Sequence, residues 1–265
     1  MLILAFLLIS LAAAAALTLS FELLFWKSAL LFFACFLALH VLYLLFWGLV
    51  SLFVAPGRPL EKQNALCRVG VASMATLLCR YLRVRIHLTG EELLPPDGRF
   101  LLVCNHRSMF DPIVVFARLH GYNVAFVSKP SNLKIPIVGR LAYGMGCLPI
   151  DRENDRKALR TILTAADYLK RGLCSMAIYP EGTRSRTDEL LPFHAGSFKI
   201  AQKAGVPLVI AAVRGSEEIR GRTPWRATDV SLDILRALPA EETAHMSTQE
   251  LAQLSRGIME QKLTG

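Results

Sequence analysis

The first 54 residues are almost wholly apolar, and whatever the rest of the chain folds into must be attached to them. Met1 to Phe21 carries no charge. Glu22 and Lys27 interrupt it, and Ala29 to Val54 forms a second run with only His40 and Ser51 as notable polar members. At about 1.5 Å of helix per residue, each run can cross a hydrocarbon core about 30 Å thick. The sequence therefore predicts an anchor over 1–55 with two transmembrane helices, 1–21 and 29–54. One span with one interfacial segment is the alternative. A cleaved signal peptide fits less well, because a basic leading region is missing and a second apolar run follows at once. Arg58, Lys62 and Arg68 follow the second run, whereas the linker sets Lys27 against Glu22. The positive-inside rule then puts the rest of the chain on the cytoplasmic face of the cell membrane. Trp26 and Trp47 are expected as interfacial anchors.

The formal net charge is +9, nearly all of it beyond this stretch. A basic domain beside an apolar anchor suits anionic membrane lipids and phosphate-bearing substrates. Nucleic acid is excluded as a partner: there is no long Lys/Arg run and no interleaving of basic and aromatic residues. The six cysteines (Cys35, Cys67, Cys79, Cys104, Cys147, Cys174) form no C-x-x-C pair. They read as small buried hydrophobes of a reducing compartment, and their spacing with His and Asp offers no tetrahedral metal set.

Pro56, Gly57 and Pro59 mark a hinge. Residues 56–83 read as a helical linker, in which Arg68, Arg80 and Arg83 interrupt apolar residues such as Val69, Met74 and Leu78. It either lies in the membrane interface or packs on the domain as an ordinary amphipathic helix. From Val84 onward short β-rich runs (84–88, 99–104, 124–127, 147–150, 175–179, 208–213) alternate with helical stretches (112–119, 156–171, 196–204). The tail adds a strand at 230–235 and a helix at 247–263. This alternation predicts an α/β domain over 84–265 with a mainly parallel sheet flanked by helices. In such sheets the ligand lies beyond the carboxyl ends of the strands.

Four segments sit at those ends. In Leu101–Pro112 a strand ends, His106 follows it, and Asp111 comes five residues later. Pro112 suits a first helical position, with Asp111 as N-cap. The loop can fold His106 back onto the carboxylate, which fixes one imidazole nitrogen and leaves the other to take a proton from a hydroxyl. This is the base and orienter of a triad without a protein nucleophile. Taken alone, a His/Asp pair is more often a satisfied loop histidine. In Ala177–Ser185, Pro180 and Gly182 shape a turn expected to present Glu181, Thr183 and Arg184 outward. Arg184 offers a donor fork for phosphate, and Glu181 an acceptor for a glycerol hydroxyl. A solvated Glu–Arg pair is the plainer reading. Asp151-Arg152 ends another strand, and Val206-Pro207 opens a buried one.

Together, Asn105-His106-x-x-x-x-Asp111, Asp151-Arg152, Glu181-Gly182-Thr183-Arg184-Ser185 and Val206-Pro207 resemble, in order and spacing, the glycerolipid acyltransferase family. The likeness is closest to the bacterial 1-acyl-glycerol-3-phosphate acyltransferases and covers about residues 80–215. The resemblance implies an α/β domain on the membrane, with His106 and Asp111 as catalytic pair and Arg152, Glu181, Gly182, Thr183 and Arg184 at the acceptor. Phe193, Gly196 and Phe198 match a further part of the pattern. His194 stands where relatives often have Lys, and Ile210 where a second Pro is common. The first departure bears on fine substrate contacts.

The same resemblance implies direct acyl transfer, with no metal and no resident cofactor. A thioester of coenzyme A or acyl carrier protein is the donor, and the sn-2 hydroxyl of 1-acyl-glycerol 3-phosphate (lysophosphatidic acid) the acceptor. Another lysolipid or glycerol 3-phosphate would use similar residues. Backbone N–H groups near the Asp111 helix start are the expected oxyanion donors. Ser108 or Cys104 as a nucleophile lacks a Gly-x-Ser-x-Gly elbow. A lipase with water as acceptor, and a membrane lipid-binding protein without turnover, are the rival readings.

Overall fold

The computed structural model describes residues 2–21 and 25–264; Glu22 lies outside them. The chain divides into two units, Met1–Phe53 and Val54–Gly265.

The first unit is two helices, α1 (Leu2–Phe21) and α2 (Phe25–Leu52). Over Leu2–Leu19 and Trp26–Leu52 they are long and apolar enough to cross a membrane, and they are compatible with membrane association. They pair as an antiparallel hairpin. Thr18 Oγ1 donates to Ser28 Oγ (2.8 Å) near the linker, and Phe6 meets His40 edge-on (4.8 Å) further along. The second helix starts earlier than the apolar run, taking in Lys27. Trp26 is exposed, but Trp47 is buried, edge-on to Phe46, and is no displayed anchor.

In the second unit α3 (Ala65–Tyr81) precedes β1 (Val84–Thr89), β2 (Leu101–Cys104), α4 (Asp111–Arg118), β3 (Val124–Ser128), α5 (Val138–Gly144), β4 (Leu148–Pro149), α6 (Asp155–Lys170) and β5 (Ser175–Ile178). Then come α7 (Lys199–Ala204), β6 (Leu208–Arg214), α8 (Ile219–Arg222), β7 (Thr228–Leu238), α9 (Ala240–Ala244) and α10 (Thr248–Thr264). The strands form one sheet in the order β1-β7-β6-β2-β5-β3-β4. Every pairing is parallel except β6 with β7.

Burial follows position in the sheet. All four residues of β2 and of β5 are buried, as helices on both faces of a parallel sheet require. Edge strand β1 alternates instead. Asn64 caps α3, accepting from Cys67 N (3.0 Å), and Asn154 caps α6, accepting from Lys157 N (3.0 Å); each satisfies an otherwise orphaned amide. Helix α3 packs on α4 and α5, burying Cys67, Val71, Ala75 and Cys79. It is an amphipathic helix of the domain, although Leu66, Val69 and Leu78 remain exposed on its other side. Because β2, β3, β4, β5 and β6 run the same way, the loops after Cys104, Ser128, Pro149 and Ile178 all open on one edge.

Candidate active site

Strand β2 delivers His106 to that carboxyl edge, two residues beyond its end. Asn105, fully buried, ties the strand end to β6 by a two-way bond: its Nδ2 donates to Val213 O (2.9 Å) and its Oδ1 accepts from Val213 N (2.8 Å). His106 Nδ1–H donates to Asp111 Oδ2 (2.8 Å). The imidazole is 15% exposed and the carboxylate 1%. Among the described residues Nε2 has no hydrogen-bond partner, so the nitrogen opposite the carboxylate is open to a substrate proton.

Asp111 is held more fully than the sequence shows. Oδ2 also accepts from Arg107 N and Ser108 N (2.9 Å each), and Oδ1 accepts a short bond from the Ser216 hydroxyl. One expectation is corrected here. Asp111 is the first helical residue and not the N-cap, which is Phe110; its carboxylate turns back to gather the preceding loop. Several amides near the helix start are engaged within the loop. Those of Arg107 and Ser108 are spent on Asp111, and that of Phe110 donates to Ser108 Oγ (3.2 Å).

Ser216 belongs to none of the four motifs. It is fully buried, and its carbonyl accepts from Ser108 Oγ (2.9 Å). Gly215 places it: φ is +82° there, and a Cβ would sit 2.5 Å from Asp229 O, so only glycine fits. Ser108 is thus a buried bridge. The Cys104 thiol is pushed well above its usual range by burial, then by the charges of Asp111 and Glu181. Neither is placed as a nucleophile.

Glu181 is the clearest correction. It is 3% exposed, and the turn points it inward. Oε1 accepts from His106 N (2.6 Å) and Oε2 from Leu191 N (3.0 Å). Because β5 lies beside β2, the carboxylate braces the backbone of His106 itself. Burial raises its pKa, and the amides of Leu191 and His106 pull it back. Glu181→Leu leaves two buried N–H groups without acceptors at about 1–3 kcal/mol each, so unfolding should become easier by about 2–5 kcal/mol. Thermal unfolding in detergent measures this; an unchanged midpoint would refute the brace.

Gly182 adopts φ +71°, and a Cβ there would come within 2.8 Å of His194 Nε2, so its place in the motif is a matter of backbone space. Thr183 and Arg184 are exposed as expected. With Arg107, Ser185, Arg186 and Glu217 they line a pocket of about 350 Å³. Ser185 N donates to His106 O (2.8 Å), joining this loop to that of His106. Arg107 is engaged by Asp188 (2.5 Å) and Glu217 (3.2 Å), whereas Arg184 and Arg186 have no ion pair among the described residues. Arg152 is exposed beyond β4, three strands from β2. It is not part of this pocket's lining. Of the further matched residues, Phe198 is core, Phe193 is half-buried and Gly196 is exposed.

Tyr179 carries no signal in the sequence beyond its place at a strand end. Its ring stacks on the imidazole of His106 (centroids 4.1 Å, 10° between planes) and on Phe126 (5.4 Å). Among the described residues its buried hydroxyl has no partner, and burial, then the charge of Asp111, holds its pKa well above the usual value. A buried hydroxyl with no partner costs about 1–3 kcal/mol. Tyr179→Phe should therefore match or exceed wild-type stability while keeping the stack, as thermal unfolding would register. A lower midpoint would mean that the hydroxyl is satisfied.

The Acyltransferase family model matches residues 85–214. The chain is 34% identical to the 1-acyl-sn-glycerol-3-phosphate acyltransferase of Salmonella typhimurium over 166 residues, covering 63% of this chain and 67% of that one. The Escherichia coli protein of the same name is 33% identical over 166 residues, with the same coverage. The fold resembles the crystal structure of the 1-acyl-sn-glycerophosphate (LPA) acyltransferase from Thermotoga maritima: TM-score 0.64, 22% identity, 84% of this chain and 88% of that one. The matched region spans the His106–Asp111 pair together with Glu181, Gly182, Thr183 and Arg184, whereas Gly215, Ser216 and Glu217 lie just beyond it, and the protein belongs to the acyltransferase family.

Proposed function

We propose that the protein transfers a fatty acyl group from a thioester to the sn-2 hydroxyl of 1-acyl-glycerol 3-phosphate, giving phosphatidic acid for phospholipid synthesis. The observation that carries this reading is the His106 imidazole, fixed at Nδ1 by a buried carboxylate and open at Nε2, next to a pocket bearing unpaired Arg184. The names of the Salmonella and Escherichia coli relatives support the acceptor.

The acceptor's phosphate docks on Arg184, whose planar fork suits a bidentate contact, with Thr183 beside it. Arg152 contributes charge from the edge of the sheet. His106 Nε2 takes the hydroxyl proton as the oxygen forms a bond to the thioester carbonyl carbon. Asp111 stabilises the resulting imidazolium. As the C–S bond breaks, the imidazolium returns its proton to the departing thiolate. Glu181 and Gly182 hold the frame for these groups without touching substrate. No metal or resident cofactor enters the scheme, and coenzyme A or acyl carrier protein supplies the thioester. The N-terminal helices hold the domain at the membrane where acceptor and product reside. Arg58, Lys62 and Arg68 after the second helix support an orientation with the domain on the cytoplasmic face.

The test is incubation of detergent-solubilised protein with labelled acyl-CoA or acyl carrier protein, with and without lysophosphatidic acid. Labelled phosphatidic acid that depends on the acceptor supports the reading. Free fatty acid released equally with and without acceptor would make the protein a hydrolase, and lipid binding without turnover would make it a carrier.

A further inference from the structure

The molecule has a second pocket on its catalytic edge, and it is larger than the one beside Arg184. It encloses about 740 Å³, mostly among residues that follow β3 and β4, with Pro56 beside them. Its apolar part comes from Leu133, Ile135, Pro136 and Tyr143, and its charge from Lys134, Arg140 and Lys157. Lys157 is paired with Asp151 (3.3 Å). Lys134 and Arg140 are exposed and have no acidic partner among the described residues. The pocket thus carries two uncompensated positive charges over an apolar wall.

Its loop is not relaxed. Ile137 sits at φ +63°, ψ −70°, and Val138 N donates to Pro136 O (2.7 Å), so these three residues make the rare form of the γ-turn. A β-branched residue at positive φ is a costly conformation, and such strain gathers at binding sites.

Position decides what fits. Strands β3 and β4 stand two and three places from β2 in the sheet, about 10 and 14 Å at the usual strand spacing of about 4.8 Å. A ligand held here by an anionic group must reach back that far to place its reacting atom at His106. Coenzyme A and acyl carrier protein share one group with this shape, the 4′-phosphopantetheine arm. It bears a phosphate at one end, an apolar and amide-bearing middle, and the thioester at the other. Extended like four or five residues of backbone, it spans roughly 15 Å.

We infer that this pocket is the acyl donor's site, with Lys134 and Arg140 holding the phosphopantetheine phosphate and the Leu133–Tyr143 wall packing against the arm. This rests on the transfer reaction proposed above. It gives the two arginine-bearing regions separate ligands: Arg184 the acceptor's phosphate, and Lys134 with Arg140 the donor's.

The experiment compares wild type with the double variant Lys134→Ala, Arg140→Ala, two exposed and unpaired side chains whose loss leaves the fold intact. Transfer to lysophosphatidic acid in detergent micelles is measured from three donors of equal chain length: acyl-CoA, acyl carrier protein and the N-acetylcysteamine thioester, which has no phosphate. The variant should lose roughly 30-fold or more in kcat/KM with both natural donors, mostly through KM, and nothing with the phosphate-free thioester. Equal loss with all three donors, or no loss at all, overturns the assignment. Loss confined to acyl-CoA would assign the cations to nucleotide phosphates instead. Loss with all donors on vesicles, absent in micelles, would make this face a lipid-docking surface. A wild type inert with every donor would sink the transfer reaction itself, an outcome separate from an active wild type with an indifferent variant.

Discussion

His106→Ala protein is expected to unfold near the wild-type temperature and to turn over about 10³–10⁴-fold more slowly, with the acceptor KM changed by no more than about threefold. The magnitude is what a positioned general base contributes, together with the charge it holds in the transition state. A loss in kcat without a matching loss in KM means that the group acts in the transition state and not in binding. Structure tolerates the deletion. Asp111 keeps the amides of Arg107 and Ser108 and the hydroxyl of Ser216, so no buried charge is stranded. Tyr179 loses one stacking face, worth about 1 kcal/mol. Kinetics beside thermal unfolding check both halves, and a collapsed midpoint would mean that the loss reports misfolding.

Asp111→Asn should cost roughly 10³-fold in kcat while the protein stays folded. An amide has one accepting oxygen where the carboxylate has two. The Oδ2 position faces three N–H donors, from His106, Arg107 and Ser108. The amide nitrogen cannot occupy it, so it takes the Oδ1 position, where the Ser216 hydroxyl can rotate and accept. The imidazole then keeps its orientation and its Nδ1 proton, and only the negative charge is lost. What falls is the stabilisation of the imidazolium formed as the hydroxyl is deprotonated. Kinetics on the folded variant measure this. Activity within tenfold of wild type would mean that Asp111 only positions the ring.

The two apolar helices and the pairing of His106 with Asp111 are legible because both are local. Two apolar runs announce themselves by length, and His106 and Asp111 are five residues apart. Alternation of β-rich and helical stretches gave the mainly parallel sheet for the same reason. What escaped depends on strands meeting in space. Ser216 reaches Asp111 across 105 residues because β6 lies against β2. Glu181 looked exposed beside Arg184 in the linear motif, yet β5 sets it under the His106 amide. Helix α5 hid among Pro136, Gly139 and Gly144, which argue for a loop. The antiparallel direction of β7 leaves no mark on hydrophobic period. Tyr179 reads as the last residue of a strand, and only the fold shows its ring against the His106 imidazole.

The central claim is that Asp111 acts through His106 and that both act on one proton. The most direct measurement is kcat of the double variant His106→Ala, Asp111→Asn beside the two single variants, each shown to be folded. With the imidazole gone, the carboxylate has nothing left to stabilise, so the double variant should be no slower than His106→Ala alone. Losses that multiply, to roughly 10⁶-fold or more, would mean that the two groups work independently and would contradict the account.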